Sequence, residues 1–436
     1  MPAPGQSFAV LSFGCRINRY ESQALREAWL AAGLTEAGPE RAEVLLVNTC
    51  AVTGKAVADL RQALRQAARA NPAASIVLTG CAATVAGAEL AGLPGVVRVV
   101  PQAEKAGLLA PLDPIAPGGR PAAPAFAPFA VSGGDRSRPV LKIEDGCDQF
   151  CAYCVVPLAR GPAVSREPGD VLAEAQRLLG AGFRELVLSG INLRAYGRGL
   201  AGRWNLWRLL AFLEERLAPE WAGRARLRLS SLDPAQLGEE ALQTMAASAL
   251  VCPHLHLSLQ SLSPGVLSRM NRSHYGPQGI EDFLAGLARA WPLFGLGADL
   301  LTGFPGETEA EFAEGLANAR RLPLTYAHVF PYSRRPGTAA AAMAGQVPEA
   351  VKTARAATLR RLVRERRGSF LRRLAAGPEL TVVIENRAEP RGVCQFYAPC
   401  ELAGGMERLP ARSLVRVRPV GLRGATITAE ALEVVA

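Results

Sequence analysis

Residues 140–161 read VLKIEDGCDQFCAYCVVPLARG, and this stretch is the most informative about the fold of the chain. An apolar strand, Val140–Ile143, leads into a turn at Gly146. Three cysteines with the spacing CxxxCxxC follow the turn: Cys147, Cys151 and Cys154. On a helix they would share one face, but Gly146 and Pro157 bracket the segment closely and favour a loop. Closely spaced thiolates in a loop are typical of an iron–sulfur cluster, and three of them leave one iron of a four-iron cubane open to a small ligand.

Strand and helix signals alternate from this loop to about Ala376. Five further candidate strands follow Val140–Ile143: Glu185–Ser189, Arg226–Ser230, His254–Leu259, Gly297–Thr302 and Ala327–Tyr332. Six strand–helix repeats predict a partial (β/α)6 barrel of parallel strands over residues 139–376. The working face of such a barrel lies at the C-terminal ends of its strands.

Three similar apolar segments in residues 1–109 predict an open parallel α/β sheet: Phe8–Phe13, Val44–Val47 and Ile76–Leu78. Each is followed by a cysteine: Cys15, Cys50 and Cys81. Parallel strands end at one edge of a sheet, so the three thiols are expected to converge there. The alternative is that these three cysteines are simply small residues buried in the core and bind nothing. Zinc fits poorly because a closed site needs four ligands and this region has no histidine, whereas a cluster with one open iron needs only three.

The remaining segments differ in kind. Residues 110–138 are rich in Pro, Ala and Gly, which predicts a linker or an extended surface segment. Residues 377–436 alternate at period two between Gly and Pro breaks, which predicts a small antiparallel β-barrel. Its candidate strands are Leu380–Ile384, Val393–Tyr397, Ser413–Pro419 and Ala425–Thr428.

Composition narrows the class of protein. A length of 436 residues suggests about three domains. The net charge of +10 favours an acidic partner such as nucleic acid. Nine cysteines, an odd number, argue against a secreted disulfide scaffold and predict a cytoplasmic protein with reduced thiols. The sequence shows neither a membrane-spanning apolar run nor a signal peptide in Met1–Val10.

Most of the net charge lies in one candidate helix. Between residues 352 and 373 this segment has one acidic residue, Glu365, and nine basic residues: Lys352, Arg355, Arg360, Arg361, Arg364, Arg366, Arg367, Arg372 and Arg373. Apolar residues recur at helical spacing between them, so one face is expected to pack and the other to form a basic stripe. We predict that Arg360, Arg364, Arg367 and Arg372 contact RNA phosphates, the alternative being a merely solvated face.

These motifs together resemble the radical S-adenosylmethionine methylthiotransferases (MiaB, RimO and MtaB), whose members share a three-cysteine domain, a radical domain and a C-terminal TRAM barrel. The resemblance covers nearly the whole chain. The segments that carry it are GCRIN (14–18) with Glu21, NTC (48–50), TGC (79–81), GCDQFCAYCVVPLARG (146–161), LSGIN (188–192), HLHLSLQS (254–261), TGFPGET (302–308) and PYSRRPGT (331–338). GCRxNxxE followed by NTCAVT is most similar to the threonylcarbamoyl branch.

The resemblance implies two [4Fe–4S] clusters and S-adenosylmethionine. Cys147, Cys151 and Cys154 would hold the cluster that binds S-adenosylmethionine, and Cys15, Cys50 and Cys81 the cluster that carries sulfur. The implied reaction adds a methylthio group to C2 of threonylcarbamoyladenosine in the tRNA anticodon stem-loop, which also requires an electron donor and a sulfur source. Three alternatives stay open: isopentenyladenosine in tRNA, an aspartate of a ribosomal protein, and an iron–sulfur RNA-binding sensor without turnover.

Residues that would contact S-adenosylmethionine follow from the same resemblance and from their positions at strand ends. They are Tyr153 in the cysteine loop, Ser189, Gly190 and Asn192 after the second strand, Gln260, Ser261 and Arg269 after the fourth, and Gly303 after the fifth. No catalytic residue is assigned beyond the cluster ligands. We expect the four histidines, His254, His256, His274 and His328, to serve packing or structural hydrogen bonds, and Cys252, Cys394 and Cys400 to be structural.

Overall fold

The structure, a computed structural model, describes residues 5–51, 54–110, 126–134, 136–386, 390–403 and 409–436. These residues group into two compact units. The first unit lies within Met1–Ser132, Glu144–Arg166 and Ser333–Ala341, and the second within Gly133–Ile143, Glu167–Tyr332 and Ala342–Ala436. Most of the predicted linker, residues 111–125, lies outside the described residues.

The N-terminal part of the chain forms the parallel sheet that the sequence predicts. Its strands are β1 (Ser7–Ser12), β2 (Thr35–Glu36), β3 (Val44–Thr49), β4 (Ser75–Gly80) and β5 (Val96–Val100), in the order β2-β1-β3-β4-β5. Its helices are α1 (Arg16–Ala31), α2 (Gly54–Ala70), α3 (Cys81–Val85) and α4 (Gly87–Ala91), followed by a 3-10 helix, Gln102–Leu109. The central strand β3 is buried along its whole length, as suits a sheet covered on both faces. The two edge strands, β2 and β5, were not foreseen.

Part of the predicted linker packs against the first unit. Phe129 is buried, and its carbonyl accepts a 2.7 Å hydrogen bond from the hydroxyl of Tyr20 on α1. The backbone N–H and hydroxyl of Ser132 donate to Glu27, also on α1. These contacts fix residues 126–132 on the surface of helix α1.

The central part of the chain contains the predicted barrel strands. Its strands are β6 (Val140–Lys142), β7 (Glu144–Asp145), β8 (Val164–Ser165), β9 (Glu185–Ser189), β10 (Arg226–Leu229), β11 (Ser231–Leu232), β12 (His254–Gln260), β13 (Gly295–Thr302) and β14 (Tyr326–Pro331). The predicted six, β6, β9, β10, β12, β13 and β14, pair in parallel in two sheets of order β10-β9-β6 and β11-β12-β13-β14. A bridge between Leu227 and Val251 lies where the two sheets adjoin. The partial barrel is therefore confirmed.

Helices separate these strands. They are α5 (Val156–Arg160), α6 (Pro168–Gly180), α7 (Leu206–Trp221), α8 (Glu239–Ala247), α9 (Pro264–Arg269), α10 (Pro277–Ala290), α11 (Glu309–Arg321), α12 (Ala339–Ala342) and α13 (Glu349–Ala375), with short 3-10 turns at Leu193–Ala195 and Pro234–Gln236. Local chemistry sets several starts: Thr308 begins α11 with a reciprocal capping box to Glu311. Within the described residues, no helix combines the length and apolar character needed to cross a membrane.

The C-terminal strands form a closed five-stranded barrel. They are β15 (Leu380–Asn386), β16 (Arg391–Cys394), β17 (Pro399–Leu402), β18 (Leu414–Arg423) and β19 (Thr426–Val434), in the order β15-β16-β17-β19-β18. Strand β17 was not foreseen, because it is short and begins with Pro, and it pairs with β19 in parallel. The barrel core also takes in Phe370, Leu371 and Leu374 from the end of α13.

A buried charge cluster joins this barrel to the central strands. We call Glu185, Arg226 and Arg228 the barrel-side network. The Nε atoms of both arginines lie 2.6 Å from Glu185, and their remaining nitrogens donate to the backbone carbonyls of Thr381, Val393, Cys394 and Gln395. Burial alone would raise the pKa of Glu185, but Arg228 and Arg226 outweigh it and hold that pKa well below its usual range.

Candidate active site

The three strand-end cysteines lie at the C-terminal edge of the first unit's sheet. Cys15 caps the N-terminus of α1, Cys50 follows β3 and Cys81 begins α3. Gly14 has φ +94°, and a Cβ there would lie 2.5 Å from the Sγ of Cys50. Gly14 thus lets the turn that carries Cys15 approach Cys50 closely.

Polar side chains tie the three strand ends together. The side-chain amide of Asn18 donates to the carbonyls of Phe13, at 3.0 Å, and Thr49, at 2.8 Å. Asn48 donates to the carbonyl of Asn18 at 2.8 Å. The Thr49 hydroxyl donates to the carbonyl of Thr79 at 2.6 Å. These bonds give the Asn of GCRIN and the Asn-Thr of NTC a physical role: they hold the cysteine-bearing turns in register.

Buried ion pairs lie beside these cysteines. We call Glu21, Lys105, Arg160 and Asp145 the thiol-side network. Glu21 accepts from Lys105 at 2.6 Å and from Arg160 at 2.9 Å, and Arg160 also binds Asp145 at 2.7 Å. The side chains of Lys105 and Arg160 are each only 1% exposed.

The sulfur of Cys81 belongs to this electrostatic environment. Burial lowers the pKa of Lys105, while the negative charges of Glu21 and Cys81 oppose that shift. Burial also opposes the charge of Arg160, but Asp145, Glu21 and Cys81 outweigh it and raise its pKa well above the usual value. Two buried cations therefore lie within electrostatic range of the Cys81 sulfur.

A third cation, Arg335, lies near Cys50. It belongs to the PYSRRPGT segment, and its Nη2 donates to the carbonyl of Ala51. Burial lowers the pKa of Arg335, and the charge of Cys50 counteracts that effect. Among the described residues, none accepts a hydrogen bond from its buried Nε. Lys105, Arg160 and Arg335 were not predicted from the sequence, although Arg160 lies in the segment 146–161 and Arg335 in the segment 331–338, both of which carry the family resemblance.

The CxxxCxxC segment is a loop between β7 and α5, which excludes the helical-face alternative. Gly146 has φ +80°, and a Cβ there would lie 2.0 Å from the carbonyl oxygen of Pro162. The N–H of Cys147 donates to Gly161 at 3.0 Å, and that of Cys154 to Cys151 at 2.9 Å. Asp145 and Arg160, which flank the loop, also belong to the thiol-side network, so both cysteine triads lie in one compact unit.

The donor set of each triad suits an iron–sulfur cluster. Thiolates are the protein ligands of such clusters. In the described part of the chain, the thiols of neither triad meet the 4.8 Å mutual spacing that one ion shared by three side chains would need. The buried cations supply the positive charge that several thiolates require. The residues therefore fit a larger group with three cysteine ligands better than a single ion.

Most of the residues expected at S-adenosylmethionine lie at C-terminal strand ends in the second unit. Arg269 is the last residue of helix α9, and Tyr153 is half-buried in the cysteine loop of the first unit. Ser189, Gly190 and Asn192 follow β9, and Ser189 is buried. Gln260 ends β12 with φ +57°, and the hydroxyl of Ser261 accepts from the N–H of Ser263 at 3.2 Å.

Two of these residues have clear structural partners. Arg269 donates to Glu311 at 2.8 Å and to the carbonyl of Gly306 at 3.2 Å. Gly303 has φ +70°, and a Cβ there would lie 2.2 Å from the Cγ of Lys352. The close approach that glycine allows at this position is thus to a lysine side chain, and the cofactor contacts of Arg269 and Gly303 stay predictions.

The basic stripe predicted on helix α13 has fewer exposed cations than expected. Lys352 and Arg355 are buried: Lys352 donates to the carbonyl of Tyr332 at 3.2 Å, and Arg355 binds Glu307 at 2.8 Å. Burial of these two cations leaves a weaker stripe than the sequence count suggests. Arg364 and Arg372 are exposed, Arg367 is half-buried, and Arg360 donates to the carbonyl of Val329 at 2.6 Å.

The other three cysteines are buried, as expected of structural residues. Cys252 precedes β12, and Cys394 and Cys400 lie in the C-terminal barrel. The thiol of Cys400 donates to the carbonyl of Ala398 at 3.7 Å.

Comparisons with known proteins agree with this site. Residues 7–101 match the family model described as "Uncharacterized protein family UPF0004", and residues 141–317 match the radical SAM superfamily. The threonylcarbamoyladenosine tRNA methylthiotransferase MtaB of Bacillus subtilis is 36% identical over 79% of this chain and 77% of its own length. The protein of the same name from Thermotoga maritima is 31% identical over 95% of this chain and 94% of its own length.

A solved structure supports the fold. The radical S-adenosylmethionine methyltransferase TsrM from Kitasatospora setae, with cobalamin and a [4Fe-4S] cluster bound, superposes with a TM-score of 0.56 at 16% identity, over 77% of this chain and 74% of its own. Radical S-adenosylmethionine enzymes use an iron–sulfur cluster and S-adenosylmethionine, and the cysteine loop contains three thiols, the kind of ligand that such clusters take. The chain belongs to the radical S-adenosylmethionine methylthiotransferase family (MiaB, RimO and MtaB), and within it to the MtaB type.

Proposed function

We propose that this protein is a tRNA methylthiotransferase that adds a methylthio group to C2 of N6-threonylcarbamoyladenosine next to the anticodon. The observation that carries the proposal is the presence of two cysteine triads in one compact unit, each close to residues of the buried thiol-side network. Its MtaB-type relatives supply the substrate class. An aromatic C2–H is neither acidic nor electrophilic enough for ordinary acid–base chemistry, so radical chemistry and a nearby sulfur are needed.

The proposal assigns two [4Fe–4S] clusters. Cys147, Cys151 and Cys154 hold one, and Cys15, Cys50 and Cys81 hold the other. Together the two clusters and S-adenosylmethionine supply the radical, the methyl group and the sulfur. The protein's own cations, Lys105, Arg160 and Arg335, stabilise the thiolates that bind the second cluster.

The second unit contributes binding residues in this proposal. Ser189, Gly190, Asn192, Gln260 and Ser261 lie at the barrel's working edge, where they would orient S-adenosylmethionine together with Tyr153, Arg269 and Gly303. Exposed Arg364 and Arg372, with Arg367 and Arg360, contact phosphates of the anticodon stem-loop. An electron donor, a sulfur source and a cytoplasmic location complete the proposal.

The first experiment separates the two triads. Reconstituted protein, kept reducing and oxygen-free, should release deoxyadenosine from S-adenosylmethionine. Cys50→Ala should retain this cleavage and lose methylthiolation, whereas Cys151→Ala should lose both. Cys252→Ala, a buried cysteine outside both triads, serves as the control and should retain both.

Each result has a clear consequence. Absence of deoxyadenosine from the reconstituted wild-type protein would favour the sensor without turnover. Methylthiolation by Cys50→Ala would refute the assignment of the second cluster.

The second experiment identifies the substrate. The protein is offered tRNA carrying threonylcarbamoyladenosine, tRNA carrying isopentenyladenosine, or ribosomal proteins, and the products are analysed by mass spectrometry. We expect a methylthio group on the threonylcarbamoyl nucleoside only. Modification of either other substrate instead would overturn the substrate assignment while leaving the reaction class intact.

A further inference from the structure

Three neighbouring barrel strands place a histidine, an aspartate and a histidine on one face. In the parallel register His256 of β12 lies opposite Gly297 of β13, and Asp299 of β13 lies opposite His328 of β14. Residues two apart on a strand share a face, so these three side chains point the same way. Of the described residues, they form the one set of three His, Cys, Asp or Glu side chains whose ligand atoms all lie within 4.8 Å of one another.

A glycine and a tyrosine orient the first histidine. A Cβ on Gly297 would lie 2.1 Å from the Cζ of Tyr326 and 2.6 Å from the Nδ1 of His256. Because Gly297 has no side chain, the Tyr326 hydroxyl reaches across β13 and lies 3.0 Å from the Nδ1 of His256 and 2.9 Å from the Nε2 of His254. The Nε2 of His256 is thereby directed at the Oδ1 of Asp299, 3.1 Å away.

This arrangement has the chemistry of a metal site. Two imidazoles and one carboxylate bind first-row divalent cations and leave coordination positions open. A metal-binding histidine normally engages its other ring nitrogen in a hydrogen bond, as His256 does with Tyr326. The donors are nitrogen and oxygen, so this set differs in kind from the two thiolate triads, which suit iron–sulfur clusters.

A simple hydrogen bond between His256 and Asp299 would account for two of the three residues. His328 packs against Tyr326 and Phe330, and it also brings a third ligand atom within 4.8 Å of those of His256 and Asp299. His256 is buried, Asp299 is half-buried and His328 is exposed, so a cation has access from the His328 side.

We propose that His256, Asp299 and His328 bind a divalent transition-metal cation, with Tyr326 as the residue that orients His256. The site takes Mn²⁺, Fe²⁺ or Zn²⁺, and its open positions take oxygen ligands. It is a third metal centre, separate from both cysteine triads, and it does not depend on the identity of the nucleoside that the protein modifies.

The test uses Mn²⁺ as the probe and the cluster-loaded protein, washed with chelator and held in the oxidised cluster state. Free Mn²⁺ is followed by electron paramagnetic resonance during titration. The wild-type protein should bind about one equivalent, and Zn²⁺ should displace it. His328→Ala and Asp299→Asn should each weaken binding by about 10-fold or more, and Tyr326→Phe by a smaller factor because it removes only orientation.

Controls separate metal binding from damage to the fold. His274→Gln changes a histidine that binds Asp233 elsewhere in the same unit and should bind Mn²⁺ as the wild type does. His328 is exposed, so its replacement leaves the core packing intact, which circular dichroism and cluster content verify. Wild-type binding no tighter than that of His328→Ala would overturn the proposal and leave His256 and Asp299 as a hydrogen-bonded pair.

Discussion

The two buried charge networks use positive charge in different ways. In the barrel-side network every guanidinium nitrogen of Arg226 and Arg228 donates to a protein oxygen, and four of those acceptors are backbone carbonyls of the C-terminal barrel. Each network also has cysteine sulfur beside its cations: Cys252 and Cys394 near Arg228 on the barrel side, and Cys81 near Lys105 and Arg160 on the thiol side. The networks differ in the sequence context of those cysteines, because Cys81 belongs to a triad of strand-end cysteines, whereas Cys252 and Cys394 belong to neither triad. A buried ion pair is thus not by itself evidence of function, and the groups that surround its charges must also be known.

The largest effect is expected from Gly14→Ala, which places a methyl group beside the cysteines near the thiol-side network. A methyl group there would meet Cys50, and the residue would also keep a positive φ that alanine disfavours. We expect bound iron per chain to fall by about half, since the CxxxCxxC triad is untouched. Methylthiolation should be lost while deoxyadenosine formation persists.

Gly33→Ala is the matched control, because it has φ +88° and no atom within 4 Å of the added Cβ. It reports the cost of the backbone conformation alone and should retain full iron. Equal loss of iron in both variants would show that backbone strain, not contact with Cys50, causes the effect.

On the barrel side, Glu185→Ala should destabilise the second unit strongly. It leaves two buried guanidinium groups without their carboxylate, which costs about 3–5 kcal/mol of unfolding free energy. Denaturant unfolding followed by tryptophan fluorescence measures it. Glu385→Ala removes a carboxylate that is 41% exposed and pairs with Arg138, and should cost less than about 1 kcal/mol. Similar losses in the two variants would remove the distinction between a structural joint and a surface pair.

The same carboxylate predicts an acid-sensitive joint. The pKa of Glu185 is lower in the folded protein than in the unfolded chain, so its contribution to stability is fully present above the unfolded value, about 4.3, and is lost as pH falls below it. Unfolding free energy of the wild type should therefore decline on acidification below about pH 5. Glu185→Gln should show a shallower decline, and parallel curves for the two proteins would contradict this origin.

A smaller effect is expected from Lys105→Met, which removes one cation beside Cys81. Arg160 still pairs with Glu21, so the loss of stability should stay near 1–3 kcal/mol. A cluster held by Cys81 loses a nearby positive charge, and its reduction potential should become more negative. Redox titration measures the shift. Arg61→Met, which removes a surface cation paired with Glu89, should leave the potential unchanged.

The smallest effect belongs to Arg364→Ala, which lies outside both networks. An exposed arginine that contacts a phosphate should weaken tRNA binding and reduce the slope of log affinity against log salt by about 1. Arg216→Ala on α7 is the matched control, because it removes an exposed arginine with a carboxylate neighbour. If the two variants showed identical salt slopes, Arg364 on α13 would not contact RNA.

Much of the fold follows from the sequence because strand periodicity is a local signal. All six predicted barrel strands and the three cysteine-bearing strands are confirmed within about two residues at their ends. Strand β17 was missed because four residues that begin with Pro carry almost no signal. The Pro-rich segment looked like a linker from composition alone, and only tertiary contacts reveal that Phe129 is buried.

For the candidate site, too, the features that are local in sequence could be predicted and the tertiary contacts could not. Cysteine spacing is local, so both triads could be named from the sequence. The partners of those cysteines are not local: Glu21 meets Lys105 and Arg160 only after the chain has folded. The basic helix shows the opposite error, because charge counts cannot tell that two of its cations are buried. Lys352 donates to the carbonyl of Tyr332, and Arg355 pairs with Glu307.

The first unit is assembled from three separate stretches of chain, and this has a consequence for synthesis. Cys15, Cys50 and Cys81 leave the ribosome long before Arg160, and Arg335 follows only after the barrel strands have been made. A fragment that ends at residue 109 would expose three thiols without two of the cations beside them. The set of cations beside these three cysteines is therefore complete only when translation is nearly finished.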